Sequence, residues 1–185
     1  MVMDFGLPAK IDSQVKALEA VMQPKQWKPT DIAAIKKATG KPVVVKGVMT
    51  VEDAMSAVKF GADAIWISNN GGRSMDTMPS TIAVLGSIAS TVKKAHPKVD
   101  IYIDGGIRRG TDVAKCLALG ATLVFLGRPV AWGLHFGGKE GLQSLVNILH
   151  EEFKTAMILT DCMSVSEVTE ERVIHHRTLQ ERPRL

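Results

Sequence analysis

From residue 41 onward the sequence predicts an α/β fold of about four parallel strand–helix units. Three observations predict it. Short apolar runs alternate with amphipathic stretches at about 20–38-residue spacing, the mark of βα units with parallel strands. The runs are apolar throughout rather than alternating, which suits a barrel or a sheet covered on both faces. And 185 residues leave room for about half of a (β/α)8 barrel, which takes roughly 250.

The elements follow in order. Residues 1–40 form an N-terminal segment, with a helix over about Asp12–Met22 and a better one over Thr30–Ala38. Pro42–Lys46 is a buried strand ended by Gly47. Thr50 is placed to cap a helix, with Asp53 in the capping-box position, Ala54, Ala57 and Val58 at helical spacing, and Gly61 to close it. Ala64–Ser68 is the second strand, and a polar loop runs from Asn69 to Pro79. A helix over about Ser80–Ala95 carries Ile82, Leu85, Ile88, Ala89 and Val92 on one face. Val99–Ile103 is the third strand, Thr111–Leu119 a helix stopped by Gly120, and Leu123–Leu126 the fourth strand. A long helix is expected over about Gly141–Leu159. Residues 41–168 thus read as the half-barrel and 169–185 as a polar tail. Half a barrel has two unpaired edge strands, which need cover.

Composition narrows the function. Net charge is only +4, from 23 Lys+Arg and 19 Asp+Glu, and 45% of residues are hydrophobic, so global disorder is excluded. No run of Lys/Arg with interleaved aromatics supports nucleic-acid binding. No apolar run approaches the roughly 20 residues of a membrane span, and no signal-peptide core opens the chain. A soluble cytoplasmic protein is expected. Cys116 and Cys162 are far apart, with no CxxC spacing, and read as buried thiols. No metal site is expected, at the tail pair His175-His176 included.

Ligands of βα folds sit at the C-terminal ends of the strands. The first end offers Lys46; the second Ser68, Asn69, Asn70, Gly71, Gly72 and Arg73; the third Asp104, Gly105, Gly106, Arg108 and Arg109; the fourth Gly127 and Arg128. The last two ends read as a phosphate grip. Glycines let backbone N–H groups approach an anion, a helix N-terminus follows, and Arg108 and Arg128 add bidentate contacts. The plain alternative is that the glycines only turn the chain and the arginines only face water. Lys46 could hold negative charge developing on a cofactor, or merely snorkel at a strand end. Arg73 could clamp a substrate carboxylate or be solvated. His135 reads as a loop histidine, His96 and His150 as helix-surface residues, and Trp66 and Trp132 as packed.

Several of these stretches carry a resemblance. Lys41-Pro-Val-Val-Val-Lys-Gly-Val-Met-Thr-Val-Glu-Asp-Ala54, Ser68-Asn-Asn-Gly-Gly-Arg73 and Asp104-Gly-Gly-Ile-Arg-Arg-Gly-Thr-Asp112 are similar to the FMN-dependent 2-hydroxy acid oxidase/dehydrogenase family. Leu119–Pro129 and Glu152-Phe153 through Asp161-Cys162 extend the match. It covers about Trp27–Val168 and corresponds to the C-terminal half of the family's TIM (β/α)8 barrel. Asp-Gly-Gly-Ile-Arg alone is a weak signal, shared with other phosphate-binding barrels; joined to Ser-Asn-x-Gly-Gly-Arg it is strong.

The resemblance implies FMN as cofactor and a small 2-hydroxy acid as substrate, oxidised to the 2-keto acid. Lys46 would lie against the flavin N1/C2 carbonyl, Ser68 near the cofactor, and Arg73 on the substrate carboxylate. Asp104, Gly105, Gly106, Arg108, Gly127 and Arg128 would hold the ribityl phosphate. Two departures stand out. The family has a catalytic His where this chain has Asn70, and a carboxamide has no useful basicity near neutral pH. The N-terminal half is also missing, with the active-site tyrosines and the carboxylate that orients the His; Tyr102 is the single tyrosine here. The expectations are therefore an incomplete and impaired oxidoreductase, a non-catalytic FMN- or phosphate-binding or interaction homologue, or a truncated piece of a full-length oxidase. Self-association, or pairing with a complementary half-barrel, would cover the edges. The ending Pro183-Arg184-Leu185 loosely resembles a peroxisomal address and makes the peroxisome the alternative location.

Overall fold

The structure, a computed structural model, describes residues 28–175. Four strands, β1 (Val44–Val48), β2 (Ala64–Ile67), β3 (Asp100–Ile103) and β4 (Leu123–Val124), form one sheet in the order β1-β2-β3-β4, every neighbouring pair parallel. Between and beside them lie α1 (Pro29–Thr39), α2 (Val51–Lys59), α3 (Thr81–Ala95), α4 (Gly110–Ala118) and α5 (Arg128–Leu159). This is the strand–helix alternation expected, in a half-barrel's worth of units. The N-terminal helix expected near Asp12–Met22 and the terminal tripeptide lie outside the described residues.

Local chemistry sets the boundaries. Thr50 Oγ1 accepts the backbone N–H of Asp53 at 3.1 Å and starts α2. A Glu152 carboxylate oxygen accepts the N–H of Gly110 at 2.7 Å, so α5 adds a distant cap to the local one that Asp112 gives the Arg109 N–H at 3.0 Å. Gly110 has to be glycine: a Cβ there would run into the backbone of Phe153 and Glu152.

The pleat divides the sheet's two faces. Ile65, Ile67, Ile101 and Ile103 are fully buried against the helices, among Ala54, Ala57, Leu85, Ile88, Ala89, Val92 and Cys116. Each such isoleucine contributes about 1.5–3 kcal/mol of burial. In register on the other face stand Lys46, Trp66, Tyr102 and Leu123. A bulge at Gly47, φ 100°, shifts the β1–β2 register between Lys46 and Val48. It lets Val48 enter the helix-side core while Lys46 stays on the opposite face.

That opposite face is only partly covered. Val44 on β1 is 40% exposed and Leu123 on β4 is 49% exposed, at the two edges of the sheet.

Four expectations are corrected. The fourth strand is two residues long instead of four, and the last helix starts at Arg128, not near Gly141. Pro129 in its first turn favours this start, and Gly137 and Gly138 break the helix. His135 therefore lies on a helix rather than in a loop, and Trp132, at 59% exposure, is not packed. A Cβ on Gly141 would meet the carbonyl of Gly133, so the glycines let the two helical segments pack backbone to backbone.

Candidate active site

The strand ends meet around one hydroxyl. Ser68, 2% exposed just past β2, donates to Asp104 Oδ1 at 2.6 Å and accepts from Lys46 Nζ at 3.1 Å and from the N–H of Asn70 at 3.1 Å. Lys46 Nζ also lies 3.6 Å from Asp104 Oδ2 and 5.3 Å from the centroid of the Trp66 ring. A strand-end ammonium thus has a carboxylate, a hydroxyl and an aromatic face as partners, which is more than a snorkelling lysine needs. Thr81 Oγ1 donates to the Asp104 carbonyl at 2.6 Å and ties this end of β3 to the start of α3.

The second loop folds around Asn70, whose φ of 55° places it in the left-handed region that asparagine tolerates. Arg73 Nε donates to Asn70 O at 3.1 Å and Arg73 Nη2 to Asn70 Oδ1 at 3.2 Å. From the far end of the sheet, Arg128 Nη2 donates to the Gly71 carbonyl at 2.9 Å, so the fourth strand end reaches across to the second loop.

Gly105 and Gly106 follow Asp104 with φ of 95° and 77°, a conformation that brings backbone N–H groups to the surface without side chains. Asp112 Oδ2 then accepts the N–H groups of Arg108 at 3.1 Å and Arg109 at 3.0 Å. Arg109 turns away to Glu152, Nε to Oε1 2.9 Å, while Arg108 lines the cavity.

That cavity, about 1000 Å³, opens on the sheet's partly covered face. It brings together Lys46, Asn70, Arg73, Asp104, Gly105, Gly106, Arg108, Gly127 and Arg128; Ser68 braces it from behind. Ser68, Asn70 and Lys46 also border a smaller adjoining cavity of about 320 Å³. Four cationic side chains face one carboxylate in the larger cavity, so its complement is an anion with more than one charged group.

Sequence reasoning missed the aromatic wall. Trp66 and Phe125 stack with centroids 4.1 Å apart, Tyr102 lies 5.7 Å from Phe125, and Trp132 and Phe136 complete the rim. The Trp66 Nε1 is buried with no hydrogen-bond partner among the described residues. The signal was available in the alternation: Ile65-Trp66-Ile67 and Ile101-Tyr102-Ile103 put each aromatic on the face opposite its isoleucines. A flat polyanion with a phosphate fits these features: cations, glycine backbone and an aromatic surface in one cavity.

Fold and site together are one half of a parallel α/β barrel, with glycines and four cationic side chains gathered at the C-terminal ends of its strands. The family model for FMN-dependent dehydrogenases matches residues 6–175, and the chain belongs to that family. It is 46% identical over 165 residues to human 2-hydroxyacid oxidase 1, covering 89% of this chain and 42% of that protein. L-lactate oxidase of Lactobacillus jensenii is 50% identical over 140 residues, 76% of this chain and 34% of that one. A peroxisomal (S)-2-hydroxyacid oxidase of Arabidopsis thaliana is 42% identical over 84% of the chain. Among solved structures, a lactate oxidase of Pediococcus acidilactici superposes with a TM-score of 0.77 at 39% identity, over 91% of this chain and 46% of that one. A mandelate oxidase variant carrying an FMN adduct gives 0.72 at 42% identity, over 77% and 44%. The chain spans less than half the length of these relatives. No helix among the described residues is long and apolar enough to cross a membrane.

Proposed function

We propose that this chain is the FMN- and carboxylate-binding part of a 2-hydroxy acid oxidoreductase, unable to turn substrate over on its own. The observation that carries this reading is the Lys46–Ser68–Asp104 cluster at the head of a cavity with three further cations. FMN, when bound, supplies a two-electron acceptor for the C2–H bond of a 2-hydroxy acid. The backbone of Gly105, Gly106 and Gly127, with Arg108 and Arg128, holds the phosphate. Asp104 contributes differently, since its carboxylate faces Lys46 and Ser68 and fixes the ammonium in place. Lys46 offers positive charge to the electron-rich edge of the ring, and Arg73 binds the acid's carboxylate.

Asn70 stands where a proton acceptor is required, and its carboxamide accepts no proton near neutral pH. Losing a positioned base costs roughly 10²–10⁴-fold in rate. A mandelate oxidase of 36% identity was solved with benzoylformic acid, a 2-oxo acid, which supports carboxylate binding in this architecture.

Calorimetric titration with FMN, and with riboflavin as the phosphate-free control, tests the cofactor reading. FMN binding far tighter than riboflavin binding is expected; equal affinity, or none for either, overturns it. The partly covered sheet face and the exposed Val44 and Leu123 at its two edges further support association with a second copy or with a complementary half-barrel. Light scattering after size exclusion should show more than a monomer, and a sharp monomer peak would count against it. The reading places the chain in the cytoplasm, the peroxisome being the alternative. A fluorescent fusion with and without Pro183-Arg184-Leu185 discriminates the two.

A further inference from the structure

The chain has three asparagines, Asn69, Asn70 and Asn147, and the fold treats the backbone amide after each of them differently. An asparagine loses its carboxamide nitrogen when the backbone nitrogen of the next residue attacks Cγ, so the state of that N–H decides which one reacts. The N–H after Asn69 belongs to Asn70 and donates to Ser68 Oγ at 3.1 Å. The N–H after Asn147 belongs to Ile148, inside the hydrogen-bonded ladder of α5. The N–H after Asn70 belongs to Gly71. The turn around it is closed by Gly72 N–H to Asn69 O at 3.0 Å and by Arg73 N–H to Asn70 O at 3.4 Å. Between them, the Gly71 N–H has no hydrogen-bond partner among the described residues.

Three further features favour reaction at Asn70. Gly71 has no Cβ to crowd a ring closing on its nitrogen. Asn70 is exposed, so water reaches it. Arg73 Nη2 donates to its Oδ1 at 3.2 Å, and a guanidinium has only donors, so the amide atom it meets is the oxygen. That oxygen gathers negative charge as the amide carbon becomes tetrahedral, and a cation already on it stabilises the charge where it develops.

We propose that Asn70 is a site of spontaneous conversion to a carboxylate, assisted by Arg73. Gly71 N loses its proton to solvent base and bonds to Asn70 Cγ. The Cγ–Nδ2 bond breaks, and the nitrogen leaves as ammonia with a proton from water. Water then opens the cyclic imide, at the new bond to give aspartate or at the original peptide carbonyl to give isoaspartate. Nothing is oxidised or reduced. The product sets a negative charge beside Arg73 and closes that guanidinium to a substrate carboxylate. This consequence rests on the carboxylate-binding role proposed for Arg73 above; the conversion itself does not.

The purified chain, folded and in urea, is incubated at pH 6 and at pH 8, and peptide mass spectrometry follows the amide-to-acid mass gain at each asparagine. In the folded chain Asn70 should convert several-fold faster at pH 8 than at pH 6, while Asn69 and Asn147 keep their amides. Arg73→Leu should slow the folded chain's conversion roughly 2- to 10-fold, the range of one hydrogen bond, and leave the rate in urea unchanged. An Asn70 that stays intact in the folded chain but converts in urea overturns the site. A folded-chain rate that Arg73→Leu does not lower overturns the assistance. Calorimetric titration with L-lactate tests the consequence: Asn70→Asp should bind it several-fold more weakly than the unaltered chain. Equal binding by both overturns the consequence alone. If the unaltered chain binds no L-lactate, the carboxylate role of Arg73 falls and the consequence with it, and the peptide masses still decide the conversion.

Discussion

Ser68 Oγ donates to Asp104 Oδ1 across 2.6 Å and so joins the C-terminal ends of two neighbouring parallel strands. Lys46 extends the link to a third strand through the same hydroxyl and the same carboxylate. Parallel strands need no side-chain ties to pair, and such a network is of use only where the strand ends must hold a fixed geometry. In this chain Lys46 and Asp104 of the network line the cavity, and its one buried member is the serine.

Removing that hydroxyl should cost more than a surface substitution. Ser68→Ala leaves Asp104 Oδ1 and the Asn70 N–H without their partner, at about 0.5–1.5 kcal/mol for each part-buried hydrogen bond lost. For a chain of this size, each kcal/mol lowers the melting temperature by about 2–4 °C. Thermal and urea denaturation should agree on the loss. An unchanged midpoint would mean that solvent satisfies both groups and the network is ornamental.

Two glycine-to-alanine changes should act in opposite directions. Gly110→Ala drives a Cβ into the Phe153 backbone, where nothing flexible can give way, and overpacking of this kind costs typically 1–3 kcal/mol. Gly86→Ala lies inside α3, where the new methyl meets Leu119 Cδ2 at an ordinary 3.7 Å. It should stabilise by about 0.5–1 kcal/mol through helix propensity. Denaturant midpoints of the two variants, measured side by side, check both signs.

Cys116 should be inert in the folded chain. It is fully buried in the core, and burial pushes its thiol up to about 12, with the Asp112 charge adding to the shift. At pH 8 the thiolate, which is the reactive form, is all but absent. Iodoacetamide labelling followed by peptide mass analysis should find Cys116 unmodified until denaturant is added. Rapid labelling of the native chain would show that α4 opens readily from the sheet.

Most of the fold was legible because its signals are local. Thr50, Gly61 and Gly120 punctuate helices by chemistry that acts within one turn, and apolar strands separated by amphipathic helices leave few topologies. The fourth strand is shorter than the apolar run Leu123–Leu126: Phe125 still donates its N–H to the Ile103 carbonyl at 2.8 Å, while its side chain and that of Leu126 line the cavity. The start of the last helix was missed although Pro129 follows Gly127, since the glycine pair at 137 and 138 imitates a loop. Lys46, Ser68, Asn70, Arg73, Asp104, Arg108 and Arg128 could be nominated one strand end at a time. Their mutual geometry could not, because it depends on register and on the bulge at Gly47. Glu152, which caps α4 from 42 positions away, carries no local signal at all.

Asp63 gives the chain a stability step at acid pH. Lys36 Nζ meets its Oδ1 at 2.7 Å and the Val43 N–H meets Oδ2 at 2.8 Å, so α1 and the entry to β1 are both tied to the start of β2. The Lys36 hydrogen bond, then the Val43 hydrogen bond, hold this carboxyl below the usual aspartate range. A depressed folded-state value favours the folded chain wherever the carboxylate is ionised. The contribution is therefore complete above the unfolded value near 3.9 and is lost as pH falls through the lower folded value. Both side chains are more than a third exposed, so solvent screening keeps the ion pair within about 0.2–1 kcal/mol. Urea midpoints of the chain and of Asp63→Asn should differ by a constant amount from pH 7 to pH 5 and converge below about pH 4. A difference that persists unchanged to pH 2 would assign the effect to shape and packing, because protonation would then have removed nothing.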